Sequence, residues 1–380
     1  MPALLPHVDP DGLLEYSVVF TDRSLNSMSK KFQAVMCDIS AMLREAYNAS
    51  AVAVIPGGGT FGMESIARQF ACDQQVLVIR NGWFSYRWTE ILEKGRIAAN
   101  TTVLRARRQD GHEGSNQPAP FAPAPVDEVV SRIASEKPAV VFAPHVETSA
   151  GMMLSDDYIK AVADAVHAVG GLFVLDCVAS GTLWVNMEAL GVDVLLSAPQ
   201  KGWSASPCSG LVMLSQRAIS RVAETEAQSY VCDVKKWLGV MQAYENGGHA
   251  YHATMPTDAL VTFRDALAET RDYGFDKVRE EQIALGNAIR QLLESRGIQS
   301  VAAKGFQAPS VVVSFTDDDA VKNGSKFAEA GVQVAPGVPL ECGEGPEFKS
   351  FRVGLFGLDK LQNRERTVKN FEAALDQVLR

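Results

Sequence analysis

Seven short runs rich in β-branched residues recur at 51–55, 76–80, 102–106, 139–143, 172–176, 192–197 and 210–214. The stretches between them, among them 63–70, 84–92, 126–134 and 158–169, carry apolar residues at helical spacing. Strands that are apolar along both faces and alternate with helices require a mostly parallel sheet covered on two sides. That rhythm predicts one large α/β domain built on a seven-stranded sheet. Past Pro256 the texture changes to long helical stretches, 257–273 and 275–296, followed by strand candidates at 310–315, 332–335 and 351–354 and a final helix over 361–379. The expected division is therefore an N-terminal segment and large domain over 1–256, and a small C-terminal α+β domain over 257–380. One biased segment, 107–125, crowds Gly111, Gly114, Pro118, Pro120, Pro123 and Pro125 together. Proline at alternate positions withholds ladder donors, so this segment reads as a long surface loop.

Composition narrows the ligand class. A net charge of -9, with lysines and arginines scattered singly, supplies no basic stripe for a nucleic-acid backbone or anionic lipid, so neither is an expected partner. The six cysteines form no Cys-x-x-Cys pair, which points to free thiols in a reducing compartment. His249 and His252 have a His-x-x-His spacing with no evident third ligand, so no metal is expected. No apolar stretch reaches the roughly 18 residues of a membrane helix. Residues 1–11 show no basic stretch followed by an apolar run, so no signal peptide is expected and the protein is placed in the cytoplasm.

Three motifs follow strands directly. Pro56-Gly57-Gly58-Gly59-Thr60 stands between a strand and a helix, where backbone N–H groups and the positive helix end suit a phosphate, with a bare glycine turn as the alternative. Leu175-Asp176-Cys177 runs an apolar strand into a carboxylate, at the strand end where open parallel sheets bind ligands; helix capping is the other reading. Pro199-Gln200-Lys201-Gly202 places a lysine at another strand end, where desolvation lowers an amine's pKa, unless it is an ordinary solvated lysine.

In this order and spacing, together with His145-Val146-Glu147-Thr148-Ser149, the chain resembles the class V branch of fold-type I pyridoxal-5′-phosphate (PLP) enzymes, specifically the alanine–glyoxylate, serine–glyoxylate and 2-aminoethylphosphonate aminotransferase group. The resemblance implies Lys201 as the Schiff-base lysine and Asp176 as the partner of the pyridine nitrogen. Gly58, Gly59 and Thr60 would bind the cofactor phosphate. The ring-stacking aromatic aligns with Phe84, with Trp83 beside it as a rival. Thr148 would approach the cofactor's 3′ oxygen, Val178 would pack under the ring and Gln200 would hydrogen-bond the cofactor. Tyr251 and Thr254 match residues that reach the phosphate in the neighbouring subunit, which implies a homodimer with a shared site. Arg352 matches the arginine that holds the substrate carboxylate.

The residue types suit these roles: a carboxylate to keep a ring nitrogen protonated, an amine to move a proton, a guanidinium fork for a planar carboxylate. The implied activity is transfer of an amino group from a small amino acid to a small 2-oxo acid, glyoxylate or pyruvate. A PLP-dependent lyase of the same fold, cysteine desulfurase-like or phosphonate- or sulfonate-processing, is the alternative. It would need a mobile acceptor cysteine, and Cys208, the nearby thiol, sits close to Lys201 in the chain. Two stretches depart from the family. Where members open with a Gly-Pro-Gly-Pro-like segment, this chain reads from Tyr16 to Asn26, with Arg23 as a candidate second anion-binding group or, alternatively, a structural arginine paired with Asp22 or another acid. The loop from Lys201 to Gly210 is also longer than the family's.

Overall fold

The computed structural model describes residues 7–111 and 118–380. Its centre is a seven-stranded sheet of β1 (Ala51–Pro56), β2 (Gln75–Arg80), β3 (Asn100–Arg105), β4 (Val140–Pro144), β5 (Leu172–Asp176), β6 (Val194–Ser197) and β7 (Ser209–Leu214), in the spatial order β1-β7-β6-β5-β4-β2-β3. All seven expected runs are strands of this one sheet. β7 alone runs against its neighbours β6 and β1, and every other pairing is parallel. Because β7 is antiparallel to both, β1 and β6 point the same way, and the ends of β1, β4, β5 and β6 share one edge. Register brings Pro144, Asp176 and Leu196 level there.

Helices cover both faces. They include α1 (Lys30–Tyr47), α2 (Gly59–Phe70), α3 (Trp83–Lys94), α4 (Val126–Glu136) and α5 (Asp156–Ala168), followed by α6 (Val234–Glu245), α7 (Thr257–Tyr273) and α8 (Phe275–Ser295). α1 and α6 had no counterpart among the expected helices. Their buried faces, Phe32, Val35 and Ile39 on α1 and Trp237, Val240 and Tyr244 on α6, join the sheet's hydrophobic core, as do Leu260, Phe263 and Leu267 of α7. A second cluster around Val278, Leu285, Ile289, Phe351 and Phe371 underlies a small antiparallel sheet. That sheet has β8 (Val311–Phe315), β9 (Ala335–Pro336) and β10 (Ser350–Gly354), in the order β8-β10-β9.

Three local expectations change. The strand at 332–335 shrinks to Ala335–Pro336, because Val332 closes a helix turn by donating to the Phe327 carbonyl, and Pro336 has no N–H to extend the ladder. The final helix is two, Leu358–Gln362 and α9 (Arg364–Val378), broken at Asn363 where φ is -125° and ψ 49°. The proline-rich segment, of which 112–117 including Gly114 lie outside the described residues, is no surface loop over 119–124. Phe121 and Ala122 pair with Arg107 and Arg108, and Phe121 also exchanges backbone bonds with Val301 and Ala303 and is 0% exposed. The ladder uses the residues between the prolines, whose carbonyls remain acceptors: Gln109 N donates to Pro120 O at 2.8 Å.

Candidate active site

At the shared strand edge lies a cavity of about 190 Å³ lined by Gly59, Thr60, Met63, Phe84, Ser85, Arg87, Pro144, Val146, Thr148, Asp176, Val178, Ala179, Gln200 and Lys201. Eight of the residues singled out from sequence meet there: Gly59, Thr60, Phe84, Thr148, Asp176, Val178, Gln200 and Lys201. Each comes from a segment that leaves the carboxyl end of β1, β2, β4, β5 or β6. Sheet order therefore gathers residues that are far apart in the chain.

One end of the cavity is formed by the start of α2. Gly57 takes φ +118°, a conformation open to glycine, and its N–H donates to the Cys208 carbonyl at 2.9 Å. Gly58 is the N-cap, so the Gly59 and Thr60 N–H groups carry no intrahelical bond and are free for an anion. Gly59 presses on the sheet edge, and a Cβ there would stand 3.1 Å from Val178 Cγ2. Arg87, unassigned from sequence, donates from Nη1 to Thr60 Oγ1 at 3.1 Å and adds a cation to this end. Its position three residues beyond Phe84 on one helix was the available signal, because that spacing shares a face.

At the other end Asp176 Oδ1 accepts from Val178 N at 3.0 Å. Burial pushes the Asp176 carboxyl up to about 6; the Val178 N–H works against this, nearby Glu147 adds to it and Arg87 opposes it. The Lys201 amine is lowered, first by burial and then by the Arg352 charge. Its Nζ lies 5.1 Å from the centre of the Phe356 ring, another residue unassigned from sequence, and has no hydrogen-bond partner among the described residues. Gln200 Oε1 is buried and likewise unpartnered.

Phe84, rather than Trp83, lines the cavity; Trp83 packs on Tyr86 with ring centres 5.8 Å apart. Two guanidiniums approach the Phe84 ring, with Arg87 at 5.2 Å and Arg352 at 5.4 Å from its centre. Arg352, on β10, donates from Nε to the Pro336 carbonyl at 2.8 Å, and burial lowers its pKa while Glu147 opposes that. Gly58 abuts the cavity without lining it. Tyr251 and Thr254 are exposed on the single chain, their hydroxyls 3.4 Å apart, and do not reach its cavity. Arg23 is also exposed, and its backbone N–H bonds Thr21 Oγ1. His252 Nε2 lies 2.7 Å from the Tyr230 carbonyl oxygen. Glu147, quoted from sequence only as part of a motif, is wholly buried behind Phe84. Its partners are Ser149, two residues on, and Phe84 and Ser85 of the distant helix α3, which no local pattern names.

The family model for class-V aminotransferases matches residues 118–341. The chain belongs to the class-V aminotransferase family. As a member it is a PLP-dependent enzyme. It is 25% identical to alanine–glyoxylate aminotransferase 1 of Saccharomyces cerevisiae over 91% of this chain and 90% of that protein. It is 26% identical to 2-aminoethylphosphonate–pyruvate transaminase of Paraburkholderia phymatum, over 88% and 84%. Among solved structures, alanine–glyoxylate aminotransferase from Nostoc sp. superimposes with a TM-score of 0.78 over 94% of this chain and 89% of that one, at 24% identity. The fold is the fold-type I architecture of these aminotransferases, a mostly parallel seven-stranded sheet with helices.

The cavity fits PLP. A helix N-terminus for its phosphate, an aromatic and a valine for the two ring faces, a carboxylate at the far end and an amine at the side are all present, and Gln200 Oε1 is a buried acceptor lacking a donor.

Proposed function

We propose that this class-V aminotransferase moves an amino group from a small amino acid to glyoxylate or pyruvate. The observation that carries the reading is one cavity shared by the α2 N-terminus, Asp176 and Lys201, with Arg352 against the Phe84 ring that lines it. Bound PLP supplies a sink for the electron pair left at a substrate α-carbon. This chain's residues do the rest. The first N–H groups of α2, with Thr60 and Arg87, bind the phosphate. Phe84 and Val178 cover the two ring faces. Asp176 holds a proton on the ring nitrogen, and Thr148 and Gln200 hydrogen-bond the cofactor. Lys201, whose pKa is lowered by burial and by Arg352, holds PLP covalently and then serves as the amine that moves a proton at the substrate α-carbon. Arg352 holds the substrate carboxylate as a bidentate fork.

The donor and acceptor names come from the relatives, which act as alanine–glyoxylate and 2-aminoethylphosphonate–pyruvate enzymes. Against the lyase alternative, Cys208 is buried, its thiol is pushed up by that burial, and its carbonyl is tied to Gly57. It is no mobile thiolate acceptor. We further propose a homodimer in which Tyr251 and Thr254 serve the partner's phosphate site, supported by their exposure on the single chain. The proposed working parts are 1–256, holding the cofactor, and 257–380, carrying Arg352, with α7 tying the second to the first. A cytoplasmic location suits six unpaired thiols; no helix among the described residues is long and apolar enough to cross a membrane.

The deciding experiment incubates PLP-loaded enzyme with single amino acids, L-alanine, L-serine and 2-aminoethylphosphonate first, and with glyoxylate or pyruvate as acceptor. Matched formation of the donor's oxo product and the acceptor's amino acid supports the proposal. Release of ammonia with no new amino acid would sink it in favour of a lyase.

A further inference from the structure

We propose that Glu147 is a positioning residue, whose buried carboxylate caps α3 from outside that helix and thereby holds Phe84, and the two arginines around its ring, in working position. The inference rests on the PLP reading above.

Glu147 is 0% exposed, and no lysine or arginine forms an ion pair with it among the described residues. Its carboxylate is nevertheless saturated. Oε1 accepts from Phe84 N at 3.1 Å, Ser149 N at 3.0 Å and Ser149 Oγ at 2.7 Å, and Oε2 accepts from Ser85 N at 2.9 Å and Ser85 Oγ at 2.6 Å. Ser149 Oγ in turn accepts from Trp83 N at 2.9 Å. The first three N–H groups of α3 therefore all end on Glu147 and Ser149.

A helix ordinarily finds these acceptors in its own N-cap side chain. Gly82 occupies that place here and has no side chain to offer. Nor is there room for one, since a Cβ on Gly82 would stand 2.1 Å from Ser149 Oγ and 2.7 Å from Glu147 Cγ. The cap thus comes from the segment after β4, across the sheet edge. A carboxylate at the positive end of a helix gains from the dipole, and its bonds are charge-assisted. These gains offset the cost of burying an anion without a counterion.

What such a costly arrangement secures is orientation. Phe84 is the second residue of α3, and its own N–H is one of those held. Its ring is the element on which Arg87 and Arg352 converge, at 5.2 and 5.4 Å. Thr148, which lines the cavity, sits between the two capping residues in the chain. One clamp therefore sets the ring-covering aromatic, the Thr148 hydroxyl segment and the surroundings of the carboxylate-binding arginine. A shift in any of them changes how PLP and substrate lie relative to Lys201.

The test compares wild type, Glu147→Gln and Ser149→Ala. Three quantities are read: PLP affinity of the ligand-free protein by tryptophan fluorescence, amide exchange at 83–85 without ligand, and KM for the 2-oxo acid against kcat. Glu147→Gln is expected to weaken PLP binding by about tenfold or more, as loss of a supporting partner behind a binding group does. It should also speed exchange at 83–85 while the sheet stays protected, and raise KM along with lowering kcat. Ser149→Ala, which leaves the charge in place, is expected to give about threefold weaker binding. PLP affinity and KM within about twofold of wild type, with unchanged exchange at 83–85, would overturn the proposal. If Glu147→Gln does not fold, Ser149→Ala decides by the same criteria. If wild type binds no PLP, the cofactor reading fails, and exchange at 83–85 still decides whether the clamp exists.

Discussion

At the scale of single residues, Asp176 trades stability for function. Its carboxyl is held up to about 6 by burial, above the ordinary aspartate value that an unfolded chain would show. Between those two values the folded ligand-free protein binds a proton that the unfolded chain does not, so stability falls as pH rises through about 6. Asp176 should therefore contribute a fall in the melting temperature of ligand-free protein between pH 5 and pH 8, against the opposite contribution of His145, which burial holds down to about 4. Asp176→Asn should lose most of that dependence and gain up to roughly 3 kcal/mol at pH 8, while binding PLP more weakly. A variant melting no higher than wild type at pH 8 would contradict this account. Lys201→Ala should retain the fold, bind PLP without a borohydride-fixable bond, and lose on the order of 10³-fold in turnover or more. Intact-mass measurement after borohydride treatment reads the first outcome directly. Asp176 was legible because it ends an apolar strand, and Lys201 because it closely follows another. Glu147, Arg87 and Phe356 were not singled out, since each acts through contacts that exist only after the sheet has assembled.

At the scale of elements, the loop after Lys201 is fixed by close backbone approach. Gly202 lies so near Gly181 that a Cβ would stand 2.0 Å from the Gly181 carbonyl oxygen, and Gly181 itself has φ +66°. Gly202→Ala should therefore push the Lys201 loop away from the β5 edge, cost about 1–3 kcal/mol and weaken PLP binding. Gly58→Ala is the matched control: no atom lies within 4 Å of its would-be Cβ and its backbone is extended, so the fold should survive with little change in melting temperature. Equal effects from the two substitutions would refute the packing argument. Strand runs were readable to within a residue or two because burial on both faces leaves an unbroken apolar signature. The pairing of Phe121 was not readable, because its partners Val301 and Ala303 lie far along the chain.

For the whole molecule, the proposed shared site makes a prediction that no single chain satisfies. Light scattering should give a dimer. Mixing inactive Lys201→Ala chains with chains carrying Tyr251→Ala and Thr254→Ala should restore activity after exchange of subunits, since one hybrid site then has every group intact. No recovery from verified heterodimers would remove Tyr251 and Thr254 from the site. The large sheet was legible from sequence because its strands alternate with helices. The tether of α7 to the large core, through Leu260, Phe263 and Leu267, was hidden, since an amphipathic pattern does not name the surface it covers.

The reversed strand β7 also bears on how the chain is made. β1 emerges early in synthesis, yet its one sheet neighbour spans Ser209–Leu214, so its backbone edge stays unpaired while most of the large sheet is still being translated. Long-range pairing of this kind is slow, and a waiting apolar edge invites association with other chains. The glycine nest that follows β1 takes its final form only when that strand closes. Yield in the cell is therefore expected to depend on chaperone capacity during elongation, and PLP can capture the chain only after β7 has docked.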